Sequence, residues 1–157
     1  MLKKLSGFLF ILLLFGCSKN YLYEQELSIT NEAWADADSL NFDFSIPDTT
    51  KIYNILLDVQ HSPEYGFQNM YVEIFTAFPS GARIREMVSL ELANRAGAWY
   101  GDCGSNACNL EIPIQENAFF NQSGNYTITV KQFMRKNPLE GVQKIGLKIE
   151  DTGIVRE

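Results

Sequence analysis

The sequence predicts an all-β fold, an antiparallel β-sandwich of jelly-roll kind with about seven to eight strands. Three observations lead there. Apolar residues recur with a period of two in run after run, clusters of Pro, Gly, Asn and Asp separate those runs, and no comparable segment keeps a period of 3.6 residues. Period two places alternate side chains on opposite faces of a strand, so each run offers one face to a core.

The chain opens with Lys3 and Lys4 followed by eight consecutive apolar residues, Phe8 to Phe15. That length suits the core of a signal peptide and falls far short of the ~18 residues a membrane-spanning helix needs. Residues 1–16 therefore read as a cleaved leader, 17–37 as a lipidated N-terminus with a polar tether, and 38–157 as the sandwich domain. Within the domain Leu40, Phe42, Phe44 and Ile46 alternate with Asn41, Asp43 and Ser45 until Pro47-Asp48 ends the run. Tyr53, Ile55, Leu57 and Val59 share one face of the next strand, and Ile52 and Leu56 on the other mark it as more central. Met70, Val72, Ile74, Thr76 and Phe78 alternate with Tyr71, Glu73, Phe75 and Ala77 before the turn Pro79-Ser80-Gly81. Ile84, Val88, Leu90 and Leu92 continue with a lapse at Glu86, which marks a bulge or an edge. Leu110, Ile112 and Ile114 form a short run that Pro113, lacking an N–H, assigns to an edge. Tyr126, Ile128 and Val130 follow Gly124-Asn125, and Ile145, Leu147 and Ile149 follow Glu140-Gly141. Helix is confined at most to a turn near Gln115 to Phe120. Phe119, Phe120 and Phe133 read as core, with at most one exposed.

Leu14-Phe15-Gly16-Cys17, closing the apolar run, resembles the bacterial lipobox. The resemblance implies diacylglycerol on Cys17, cleavage before it and acylation of the new amine. Two or three chains suffice for stable anchoring, whereas one gives only marginal binding. Three cysteines are an odd count for an exported chain, and lipid on Cys17 leaves Cys103 and Cys108 as a pair. Their segment is rich in turn residues and the periplasm oxidises such thiols, so a disulfide stapling a loop is expected. Zinc would need about four ligands where the chain offers one distant histidine, His61, and a redox pair would show Cys-x-x-Cys beside a βαβ pattern.

Thirteen basic residues against 19 acidic ones give a net charge of −6, and loss of Lys3 and Lys4 with the leader makes it −8. No basic cluster is present to release counterions from phosphates, which excludes nucleic acid as a partner. Anionic headgroups would repel the acidic body, leaving the lipid as the membrane contact. Catalysis finds little support: His61-Ser62-Pro63 reads as a strand running into a turn, and no Gly-x-Ser-x-Gly elbow occurs. Glu73, Glu86 and Glu91 on strand runs are solvated faces rather than a glycosidase pair. Asp102, Asn106 and Asn109 could offer oxygens to calcium, but one carboxylate is too few and Asx beside Gly makes turns. No enzyme activity, cofactor or metal is expected. Tyr65, Phe67, Trp99 and Tyr100 stand beside glycine-rich turns, where they either complete the core or form an aromatic rim for a protein or sugar contact. Gln132 and Arg135 near a strand end are a further polar contact point or simply solvated.

Asp38-Ser39-Leu40-Asn41-Phe42, Tyr65-Gly66-Phe67-Gln68-Asn69-Met70-Tyr71-Val72, Phe78-Pro79-Ser80-Gly81, Gly97-Ala98-Trp99-Tyr100-Gly101, Gly124-Asn125-Tyr126 and Gln132-Phe133-Met134-Arg135, with the lipobox, resemble the gliding motility lipoprotein GldH family of Bacteroidetes. Cys103 and Cys108 interrupt the glycine-rich stretch that usually follows the family's tryptophan. The resemblance implies a lipoprotein of the outer membrane, needed for gliding, linked to the type IX secretion machinery and without a known enzymatic reaction. Surface-exposed lipoproteins of that phylum resemble one another in acidic residues just past the cysteine, whereas Ser18, Lys19 and Asn20 follow Cys17, so the implied orientation faces the periplasm. The expected function is a non-catalytic, lipid-anchored accessory protein that contacts other envelope proteins of the gliding and type IX secretion apparatus. A carbohydrate-binding sandwich using the loop aromatics is the alternative.

Overall fold

The computed structural model describes residues 19–156, and the leader and Cys17 lie outside them. Eleven strands form in chain order: β1 (Tyr21–Ser28), β2 (Ala33–Trp34), β3 (Leu40–Ile46), β4 (Lys51–His61), β5 (Asn69–Ala77), β6 (Arg83–Glu91), β7 (Asp102–Cys103), β8 (Cys108–Ala118), β9 (Gly124–Gln132), β10 (Leu139–Glu140) and β11 (Val142–Val155). This exceeds the seven to eight expected. The surplus is β2, β7 and β10, two-residue pieces too short to show a period.

One sheet runs β1-β11-β4-β8-β7 and the other β3-β9-β5-β6, all pairs antiparallel. Ranked among the eight long strands, these orders are 1-8-3-6 and 2-7-4-5. That interleaving, in which successive long strands alternate between sheets except for the hairpin of β5 and β6, is the jelly-roll order the sequence led us to expect. β10 and β2 form a small ribbon across one end of the sandwich. Between the sheets Leu57, Val59, Ile145, Leu147 and Ile149 meet Phe42, Val72, Leu90 and Val130, all buried. Each such side chain contributes about 1.5–3 kcal/mol when fully buried. An aromatic cluster fills the end nearest Asp48: Phe44 stacks on Tyr126 at 5.7 Å, and Phe120 meets Tyr126 edge-on at 4.9 Å.

Two expectations are corrected here. Residues 21–28 of the supposed tether form β1, which pairs with β11 from Tyr21↔Glu150 to Ser28↔Lys144, so the folded body begins near residue 20 rather than at 38. Tyr23 packs at 5.5 Å from Phe44 and Leu27 lies against the core, which explains why the segment orders. The turn expected near Gln115 to Phe120 is instead the end of β8, and the described helix is the single 3-10 turn at Thr30–Glu32. Glu86 marks an edge and no bulge, because β6 is the outermost strand of its sheet and keeps unbroken register with β5. Pro113 faces a largely free edge, since β7 covers only Cys108 and Asn109 of β8.

Candidate protein-contact surface

The end of the sandwich where β4 and β9 finish collects most of the residues singled out in the sequence. His61, on the inner face of β4, is fully buried and its Nδ1 donates to the Ser62 carbonyl at 2.8 Å. Burial holds its imidazole below the ordinary range. Trp99 covers it at 4.5 Å and Tyr65 lies at 5.6 Å. Tyr65 is 5% exposed, with burial raising its phenol, so it is a core residue and cannot be a rim aromatic. Trp99 is half-buried, held by the bridge between Ala93 and Trp99. Tyr100 beside it points to solvent, 59% exposed. Phe67 meets Tyr65 edge-on at 5.7 Å and is exposed on its far side. The structure therefore gathers Tyr65, Phe67 and Trp99 into one cluster whose outward member is Phe67, and it leaves Tyr100 outside the cluster.

Cys103 and Cys108 are joined by a disulfide that closes the β7–β8 hairpin, with Gly104 N–H donating to the Ala107 carbonyl at 2.8 Å. Gly101 precedes it under a close approach: a Cβ there would collide with the backbone of Asn109.

Phe67 also lines a groove of about 660 Å³ with Tyr71, Met87, Phe133, Met134, Arg135 and Lys136. Its construction follows from strand alternation. In β5, Met70 and Val72 point into the core, so Tyr71 must point out; in β6, Met87 sits opposite Glu73 on that same outer face. At the end of β9, Gln132 is buried and its Oε1 accepts from the Met134 N–H at 2.7 Å, which turns the chain outward. Phe133 N–H then donates to the Tyr71 carbonyl at 2.8 Å, fixing 133–136 across the start of β5. Phe133 and Phe119 are exposed and only Phe120 is buried, which corrects the expectation that at most one of the three is exposed. Both exposed rings follow the last inward residue of a strand, where alternation turns a side chain to water.

The groove is apolar along its floor and cationic at one end. Lys136 pairs with Glu140 at 2.8 Å, and Arg135 forms no ion pair among the described residues. Tyr71, Met87, Met134 and Lys136 were not singled out in the sequence. A signal was present: apolar residues on both faces of β5, Tyr71 and Phe75 opposite Val72 and Ile74, imply that the outer face is covered in part by something other than water.

The outer face of the other sheet is polar. Lys148 sits between Asp58 at 2.8 Å and Glu111 at 3.0 Å, with Lys19 donating to Glu111 at 2.5 Å. Burial pulls the Lys148 ammonium down, but hydrogen bonds from it to both carboxylates outweigh this and hold it above the ordinary lysine range. Every charge of this set has a partner within the set, which suits a solvated structural network.

Residues 21–149 match the family model described as GldH lipoprotein. The chain is 28% identical over 151 residues to the gliding motility lipoprotein GldH homolog of Christiangramia forsetii, covering 91% of this chain and 92% of that one. It is 27% identical over 156 residues to the gliding motility lipoprotein GldH of Flavobacterium johnsoniae, covering 94% and 96%. Among solved structures it is similar to TmCBM61 in complex with β-1,4-galactotriose, at 12% identity and a TM-score of 0.31 over 85% of this chain and 88% of that one, too loose a likeness to bear on function.

Proposed function

The chain belongs to the GldH lipoprotein family, and on that premise we propose that it is a non-catalytic, lipid-anchored accessory protein of the gliding and type IX secretion apparatus. Its chemistry is protein contact. The observation that carries this reading is the groove, where Phe67, Tyr71, Met87, Phe133 and Met134 present apolar surface to water with Arg135 and Lys136 at the margin. Aromatic, Met and Arg side chains are the types enriched in interfaces, and fixed rings lose little entropy when a partner covers them. The single histidine supports a non-catalytic role: it is buried, and its one hydrogen bond goes to a backbone carbonyl rather than to a hydroxyl or carboxylate. An outer-membrane anchor, implied by the family resemblance, and a periplasmic orientation, read from the residues after Cys17, would bring the groove to other envelope proteins.

Replacing Phe67, Met87 and Phe133 together with Ala tests the reading by affinity purification of crosslinked complexes from intact cells. All three are exposed, so the melting temperature is expected to stay nearly constant while partner recovery falls at least ~10-fold, as for loss of one hot spot of ~2 kcal/mol. Unchanged recovery would refute the groove as the contact. Retention of the wild-type domain on immobilised polysaccharide, abolished by the same changes with no envelope partner lost, would instead support the carbohydrate-binding alternative.

A further inference from the structure

The opposite end of the sandwich carries its own exposed apolar surface. Phe119 is 51% exposed just after β8, and Ile154 and Val155 are 56% and 61% exposed at the end of β11. They are neighbours: Val155 pairs with Lys51, Arg156 N–H donates to the Thr50 carbonyl at 2.6 Å, and the Arg156 guanidinium lies 4.9 Å over the Phe119 ring. Nothing in the proposed protein contact uses this patch, which sits a full strand length from the groove.

The chain itself says what lies beside it. Asp151 N–H donates to the Asn20 carbonyl at 2.8 Å, so the backbone just before β1 is fixed next to the strand segment that leads into Ile154 and Val155. From Asn20 back to Cys17 is three residues, a reach of at most about 11 Å. A lipid on Cys17 therefore holds this end of the sandwich at the membrane surface, with no tether long enough to let the body drift away. β1 removes the slack: had 17–37 been a free tether, no end of the domain would have been singled out.

We infer that Phe119, Ile154 and Val155 dock into the interfacial region of the bilayer that holds the Cys17 acyl chains, so that the domain stands on its anchor end and points the groove away from the membrane. Exposed aliphatic and aromatic side chains gain by entering the headgroup boundary, which peripheral segments penetrate by roughly 5–10 Å, and Arg156 is placed to meet lipid phosphates. Three acidic groups of this end are engaged in the fold, Asp151 pairing with Lys51 at 2.6 Å, Glu150 accepting from Asn54 at 2.9 Å and Asp48 accepting from the Thr50 hydroxyl at 2.6 Å, while Glu116 near the end of β8 is exposed and forms no ion pair among the described residues. Docking is therefore driven by apolar contact and depends little on anionic lipid.

The inference rests on lipidation of Cys17, and the test separates the two. Ile154→Cys and Phe119→Cys variants, labelled with an environment-sensitive nitrobenzoxadiazole dye, are reconstituted as lipidated protein into phosphatidylethanolamine/phosphatidylglycerol vesicles containing doxyl-labelled lipid. Phe133→Cys at the groove is the reference. The probes at 154 and 119 are expected to shift to the blue and to be quenched by doxyl lipid, with little change when phosphatidylglycerol is varied, while the probe at 133 keeps its emission in water. Anchored protein whose 154 and 119 probes remain in water overturns the docking and leaves the anchor standing. A blue shift without doxyl quenching means that a protein surface covers the patch, and also overturns it. If mass spectrometry finds no lipid on Cys17, the premise and the docking fall together.

Discussion

Trp99 illustrates how one side chain serves the fold while bordering a functional surface. Its indole covers the buried His61 at 4.5 Å and meets Tyr65 at 6.4 Å, so Trp99→Ala would open a gap above a polar ring rather than remove a surface feature. The change is expected to destabilise the domain by about 2 kcal/mol, less than the 3–5 of a fully buried tryptophan, measurable by urea unfolding. His61 makes a second measurement possible. Burial lowers its folded pKa below the unfolded value near 6.5, so the unfolded chain takes up a proton first as pH falls. Stability is therefore complete above about 6.5 and is lost as pH drops from there toward the folded pKa. His61→Gln, which cannot charge, is expected to show a flatter stability profile than the wild type between pH 7 and 5; parallel profiles would contradict the assignment. Carboxylates that hydrogen bonds hold below their ordinary range, such as Asp48 and Asp151, act below that window.

Elements differ in how much the sequence reveals of them. β3, β4, β5, β9 and the first half of β11 each bury one face between the sheets, and their alternation was read to within a few residues. β1 was not. A register shift between Tyr21 and Tyr23 turns Tyr21 outward to donate to Glu111 at 3.1 Å, and the edge position leaves Glu24, Gln25 and Glu26 in water, so only Tyr23 and Leu27 signal a core. β2 and β10 owe their pairing to tertiary contact, and β7 owes its pairing to the hairpin that the Cys103–Cys108 disulfide closes. The groove was legible in pieces: Phe67 and Arg135 were noted, but Phe133 was grouped with the core on its apolar character, although continuing the alternation of Tyr126, Ile128 and Val130 through the buried Gln132 turns it outward. A direct consequence concerns β1. A domain starting at residue 38, the boundary the sequence suggested, would expose the β11 edge and lose the packing of Tyr23 and Leu27. It is expected to unfold at markedly lower temperature and to aggregate, whereas one starting at residue 19 should melt as a single cooperative unit; equal melting of the two would show that β1 adds nothing.

The whole molecule has two unlike ends. One carries Asn20, three residues from Cys17, the proposed lipidation site, with Phe119, Ile154 and Val155; the other carries the aromatic cluster under Trp99, the disulfide hairpin and the groove of Phe67, Tyr71, Met87 and Phe133. The jelly-roll order imposes this polarity, because β1 enters the sheet at one end and every connection that builds the groove leaves from the other. Protein contact through the groove is the central claim. Its most direct test is a photo-crosslinking amino acid at position 133 in living cells, with position 125 at the anchor end as control. The account predicts a covalent adduct with a specific envelope protein from 133 and none from 125. No adduct from 133, or the same adduct from both positions, would contradict it.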